Sequence, residues 1–100
     1  MLTLYVKYTA KNGCREQFLR EAVEAGIVTA IRAEEGCMMY DYYLSAQDEN
    51  VILLIEQWES EAHQCVHMQQ SHMMQLRELK EKYVAETTLG KVELYDAFFG

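Results

Sequence analysis

Three histidines, His63, His67 and His72, fall within ten residues of one another. Imidazole gains and loses a proton near neutral pH, so this cluster is where proton transfer is expected. Its spacing of four and then five matches no zinc motif, and the local sequence places no cysteine or carboxylate to complete a ligand set, so no metal is expected. Glu56 interrupts the apolar run Val51-Ile52-Leu53-Leu54-Ile55 and Trp58. A carboxylate there either pairs with a cation or sits in a cavity that raises its pKa. Trp58 shares a strand parity with Ile52, Leu54 and Glu56, and Tyr40 shares one with Tyr42, which offers an indole and two phenols to stack on a flat ring. His72 and His67 are thus the candidates for proton chemistry. Trp58, Tyr40, Glu56 and His63 are the candidates for holding a substrate. His72 ranks first because it falls in line with Leu76, Leu79 and Tyr83 on the apolar side of its helix. No glycine-rich phosphate loop, nucleophile elbow or dinucleotide fingerprint occurs, so no cofactor is expected.

The elements that must position these residues follow from hydrophobic periodicity. Leu2 to Thr9 alternates as a strand, and Glu16 to Ala33 carries Leu19, Ala22, Val23, Ile27, Ala30 and Ile31 at helical spacing. That predicts one long first helix, with Gly26 marking a close approach to another backbone. Cys37 to Ser45 and Val51 to Trp58 read as a hairpin about the polar turn Gln47-Asp48-Glu49-Asn50. Ser60 can cap a helix with Ala62, Cys65, Val66 and Gln69 on its stripe, and a second short helix carries Met73, Leu76, Leu79 and Tyr83. Lys91 to Phe99 alternates as a fourth strand. The order β-α-β-β-α-β predicts an α+β, ferredoxin-like fold, a four-stranded antiparallel sheet with helices on one face, formed as a single domain over residues 1–100.

One hundred residues cannot cover both faces of that sheet, yet the hairpin is apolar on both parities. The second face is expected to bury against another copy, giving a homodimer through the sheet. A net charge of −7 argues against nucleic acid and anionic membranes as partners, and no run reaches the length of a membrane span. The chain reads as soluble and cytoplasmic. Cys14, Cys37 and Cys65, odd in number and without a CxxC pair, read as reduced, mostly buried thiols.

The turn Glu34-Glu35-Gly36-Cys37, the run Ile55-Glu56-Gln57-Trp58-Glu59-Ser60-Glu61-Ala62-His63 and the following His67 and His72 resemble the antibiotic biosynthesis monooxygenase domain family. The resemblance extends over nearly the whole chain and implies a dimeric α/β barrel in which two four-stranded sheets face each other. Within the family it points toward the quinol-oxidising branch. Leu54 stands where the polyketide-oxidising branch has an asparagine, and Arg77 where the haem-degrading branch has its iron-ligating histidine. The function so implied is cofactor-independent monooxygenation of a small aromatic quinol or polyphenol by dioxygen. In that reaction His72 or His67 would take a phenolic proton, and Trp58 and the tyrosines would orient the ring. Two alternatives share the fold: a non-catalytic ligand-binding or stress-associated dimer, and a proton-transfer isomerase. A phosphorylated substrate for the latter would need a cationic anchor, and no basic cluster occurs in the sequence.

Overall fold

Alternation along Leu2–Ala10 sends Leu4, Val6, Tyr8 and Ala10 to one side of strand β1, where all are buried. The computed structural model describes residues 1–95. After β1 come helices α1 (Arg15–Glu24) and α2 (Ile27–Arg32), strands β2 (Cys37–Leu44) and β3 (Val51–Trp58), helices α3 (Glu61–His67) and α4 (Ser71–Tyr83), and strand β4 (Val84–Lys91). The sheet is antiparallel with order β2-β3-β1-β4, the ferredoxin-like arrangement expected from the sequence. Helices cover one face. Phe18, Ala22, Ile27, Val28 and Ile31 from α1 and α2, with Met73, Leu76 and Tyr83 from α4, pack on Val6, Tyr8, Tyr40, Ile52, Leu54 and Trp58. The opposite face presents Tyr5, Val51, Leu53 and Ile55, all half-buried within the single chain. Among the described residues no helix is long and apolar enough to cross a membrane.

Several local expectations are corrected. The long first helix is two helices, broken at Gly26, whose φ of 76° is left-handed. A Cβ there would meet nothing within 4 Å, so the glycine serves the turn and not a close backbone approach. The fourth strand is Val84–Lys91 in place of Lys91–Phe99. Residues 92–95 are not strand, and 96–99 lie outside the described residues. β4 escaped notice because it is an edge strand, exposed along most of its length, and so lacks alternation. β2 carries an irregularity between Cys37 and Met39, with Cys37 opposite Trp58 and Met39 opposite Gln57. The extra residue, Met38, turns outward, and Cys37 joins the Tyr40 side. The cysteines are free, but Cys65 is exposed and Cys14 and Cys37 are only half-buried.

Two arginines fix the hairpin. Arg15 donates to the carbonyls of Ser45, Asp48 and Val51 around the β2–β3 turn. Arg32 donates to the Tyr40 carbonyl at 3.0 and 2.9 Å, which ties the end of α2 to the middle of β2.

Candidate active site

The polar centre of the molecule assembles from three segments that converge at one end of the sheet. The turn after α2 presents Glu34; it closes through Cys37 N–H donating to the Glu34 carbonyl at 3.2 Å, with Gly36 at a φ of 82°. A Cβ on Gly36 would lie 2.4 Å from His63 Cδ2, so both the backbone angle and the close approach of the imidazole require glycine. Ser60 caps α3 as its type suggests, its Oγ accepting from His63 N–H at 3.2 Å and lying 2.7 Å from His63 Nδ1. His63 is thereby committed to the helix cap. The α3–α4 joint, where Gln70 N–H donates to the His67 carbonyl and Met73 N–H to the Gln70 carbonyl, brings His67 and His72 to the same place from two helices.

His67 is the centre of the cluster. Its side chain is 1% exposed, its ring centroid stands 4.5 Å from that of Trp58, and its Nδ1 lies 2.8 Å from Glu34 Oε2. His72 Nε2 lies 2.8 Å from the same oxygen. With Glu34 as a carboxylate, which only accepts hydrogen bonds, both ring nitrogens donate to it, and the neutral tautomer of His67 that does so has its lone pair on Nε2. That nitrogen stands 3.9 Å from Glu56 Oε1, which accepts the indole N–H of Trp58 at 3.0 Å. Burial pushes the Glu56 carboxyl above its ordinary range, against the opposing effects of the Trp58 hydrogen bond and of His67.

Beside this cluster lies a cavity of about 100 Å³ between sheet and helices. Leu4, Val6, Tyr8 and Tyr40 form its sheet wall, Met73 and Lys80 its α4 wall, and Glu56, Gln64 and His67 its polar end. Leu89 and Thr87 of β4 stand at its exposed side. The hydroxyls of Tyr40 and Tyr42 are 3.5 Å apart. Burial raises both phenols, Tyr42 to about 12 and Tyr40 well above its usual value, so at neutral pH they remain protonated. Lys80 has its ammonium 5.5 Å from the centre of the Tyr8 ring; desolvation and the nearby Arg77 lower its pKa. A larger groove of about 530 Å³ between α1 and α4 is lined by Glu21, Glu24 and Glu78 and by no histidine.

Of the residues singled out in the sequence, the structure brings Tyr40, Glu56 and His67 to the cavity wall. Trp58 stands behind them, fully buried, supporting His67 and bonding Glu56. His72 does not line the cavity; it lies across Glu34 from His67, so its alignment with Leu76 and Tyr83 gave the wrong direction. α3 is also turned from its expected orientation. Ala62, Cys65 and Val66 face outward, while His67, which is not on the expected stripe, is the buried residue. The ring contact with Trp58 and the bond to Glu34 account for that choice of inward face. Glu34 and Lys80 were missed. Lys80 follows Leu76 by four residues on the buried stripe of α4, which was a usable signal. Glu34 lies 33 residues from His67; its turn belongs to the motif that carries the family resemblance, but no local pattern ties its carboxylate to the histidines.

A ferredoxin-like sheet whose covered face holds a carboxylate-bound histidine at a cavity defines a small α+β domain with a histidine placed for proton transfer. The comparisons with known proteins give the family. Residues 1–79 match antibiotic biosynthesis monooxygenase, and the chain belongs to that family. It is 35% identical over 72 residues to the "Putative monooxygenase YcnE" of Bacillus subtilis, covering 72% of this chain and 74% of that one. Among solved structures it is similar to PA3566 from Pseudomonas aeruginosa (TM-score 0.82, 27% identity, 95% of this chain and 94% of that one). It is also similar to a protein from Nitrosomonas europaea titled "Putative antibiotic biosynthesis monooxygenase" (TM-score 0.80, 26% identity, 95% and 100% covered). These relatives support a general monooxygenase-like role.

Proposed function

We propose that this protein is a cofactor-independent monooxygenase that oxidises a small electron-rich aromatic, a quinol or polyphenol, with dioxygen. The observation that carries the reading is His67 at the wall of the cavity, with Glu34 on Nδ1 and with Nε2 3.9 Å from Glu56 Oε1 and making no hydrogen bond among the described residues. His67 Nε2 takes the phenolic proton, and the Glu34 carboxylate stabilises the imidazolium that forms. The phenolate gives one electron to dioxygen, and the resulting radical pair collapses to a peroxide at a ring carbon bearing hydrogen. His67 returns its proton to the peroxide, and loss of water leaves a carbonyl. One oxygen atom enters the product, the other leaves as water, and no external reductant is needed. Protonated Tyr40 offers a hydrogen-bond donor, and Lys80 offers a positive charge to the phenolate. His72 holds Glu34 in place. The acting protein is a homodimer joined through the half-buried face of Tyr5, Val51, Leu53 and Ile55, which the chain's own helices leave uncovered. The test is oxygen uptake with menadiol-like quinols against the protein-free autoxidation rate; equal rates remove the reading.

A second reading is favoured by Lys80, the cationic anchor that the sequence had not revealed. With an anionic, phosphorylated carbonyl compound on Lys80, His67 would move a proton between carbon atoms without oxygen. Anaerobic exchange of substrate hydrogen for deuterium, absent from the His67→Gln variant, separates this from oxygenation.

A further inference from the structure

The ring nitrogens His67 Nδ1 and His72 Nε2 and a carboxylate oxygen of Glu34 lie within 4.8 Å of one another. Two imidazoles and one carboxylate are the protein ligands of many zinc sites that keep a further position for water. The histidine spacing alone lacked the third ligand, and the turn after α2 supplies it. The three side chains come from three segments and are largely withdrawn from solvent, with exposures of 1% for His67, 10% for Glu34 and 18% for His72. Among the described residues the ion pairs of Glu34 are those to the two histidines, with no lysine or arginine competing for it. An outer groove of about 250 Å³ is lined by Glu34, Glu35, His63, Val66 and Gln70, so Glu34 of the three borders space open to solvent.

We propose that Glu34, His67 and His72 form a binding site for a divalent transition-metal ion of the zinc type, and that its occupation switches off His67 as a base. The second half rests on the oxygenase reading above; the first does not. Ligand bonds of about 2.0–2.2 Å in tetrahedral geometry set donors roughly 3.3 Å apart. Each nitrogen now lies 2.8 Å from Glu34 Oε2 and the three donors lie within 4.8 Å of one another, so binding an ion requires the carboxylate to withdraw by about half an ångström while the two ring nitrogens settle to roughly the same spacing from each other.

The consequence for His67 follows from the tautomer. Without the ion Nδ1–H donates to Glu34 and Nε2 holds the lone pair. An ion takes the place of the Nδ1 proton, and the neutral ring then carries its proton on Nε2. There Glu56 Oε1, 3.9 Å away, stands as the carboxylate partner that metal-bound histidines commonly have. The ring remains neutral and simply exchanges tautomers. Nε2–H has no lone pair for a phenol. Ion and base are therefore mutually exclusive at one imidazole.

Calorimetric titration of zinc into chelator-stripped protein, with Cys65→Ser removing the exposed thiol, is expected to give one site per chain at micromolar affinity or tighter. His72→Ala and Glu34→Gln should each weaken it about 100-fold, while His63→Ala leaves it unchanged. Absence of saturable binding, or unaltered affinity in His72→Ala, overturns the proposal. Should His72→Ala fail to fold, cobalt-shifted ring resonances from two histidines in the parent protein support it, and shifts from His63 or from none overturn it. Quinol oxidation assayed in excess chelator keeps the two readings apart. Its absence strikes the oxygenase assignment and leaves the binding result standing. Where oxidation occurs, stoichiometric zinc should suppress it in the parent protein, whereas His72→Ala should require far more; zinc that binds and does not suppress overturns the switch.

Discussion

His67 and His72, on two different helices, meet at a single atom: each places a ring nitrogen 2.8 Å from Oε2 of Glu34. This division of labour gives the two imidazoles unequal positions. His67 is buried against Trp58 with its second nitrogen at the cavity, while His72 fixes the carboxylate from outside. The first variant to make follows from that inequality. His67→Gln, which keeps most of the volume, should reduce quinol turnover by about 100-fold or more with the circular dichroism spectrum unchanged. Glu34→Gln should reduce it by roughly 10-fold, chiefly in kcat, because the amide can still accept a hydrogen bond but does not stabilise the imidazolium.

Glu56 sets a pH dependence of stability. Desolvation raises its folded-state pKa above the unfolded value, so its contribution is most favourable below the unfolded pKa and is lost as pH rises through the folded one. Glu56→Gln removes the cost of burying the ionised form while leaving an oxygen for the Trp58 N–H. Its Tm should exceed that of the parent by about 4 °C at pH 8, and the difference should vanish toward pH 4, as read by thermal denaturation across that range.

Gly36 and His63 should behave as a coupled pair. Gly36→Ala imposes an unfavourable left-handed alanine and a clash with the imidazole, a cost of about 2 kcal/mol or more in urea unfolding. His63→Ala removes the clash but leaves the backbone strain, so the double variant should recover part of that loss. Strict additivity would show that the two side chains do not meet.

The sheet face tests assembly. Leu53→Glu or Ile55→Glu would bury a charge without a partner in the proposed dimer and should yield monomer or aggregate. Light scattering of the parent at micromolar concentration should report twice the chain mass, and a stable monomer of the parent would remove the dimer.

What could be read from the sequence divides along the range of the interactions involved. β1, the β2–β3 hairpin and the Ser60 cap rest on residues adjacent in the chain, and their periodicity was legible. Glu56 stood out because a carboxylate in an apolar strand is conspicuous. β4 was displaced because Val84-Ala85-Glu86-Thr87-Thr88-Leu89 is solvated on both sides, so no pattern of burial is written into it. The inward face of α3 was misread because its small apolar residues form a stripe, whereas the contacts that orient it, to Trp58 and Glu34, come from distant segments. The site itself is nonlocal in the same sense, since its central carboxylate belongs to a turn that no periodicity connects to the histidines.

Helix α4 ends at Tyr83 and strand β4 begins at Val84, with no residue between them. Most junctions in small domains are loops, and loops absorb insertions and deletions during divergence. The slack here is a single irregularity, where Thr9 pairs with Glu86 and Ala10 with Val84 and Ala85 is left over. A residue added or deleted beyond what such a bulge takes up would rotate α4 by about 100° on its axis, carrying Lys80 and His72 off their partners, or slip β4 by one position and reverse every side chain it presents. Homologues that keep the same cavity should therefore vary more in sequence than in residue count between His72 and Leu89.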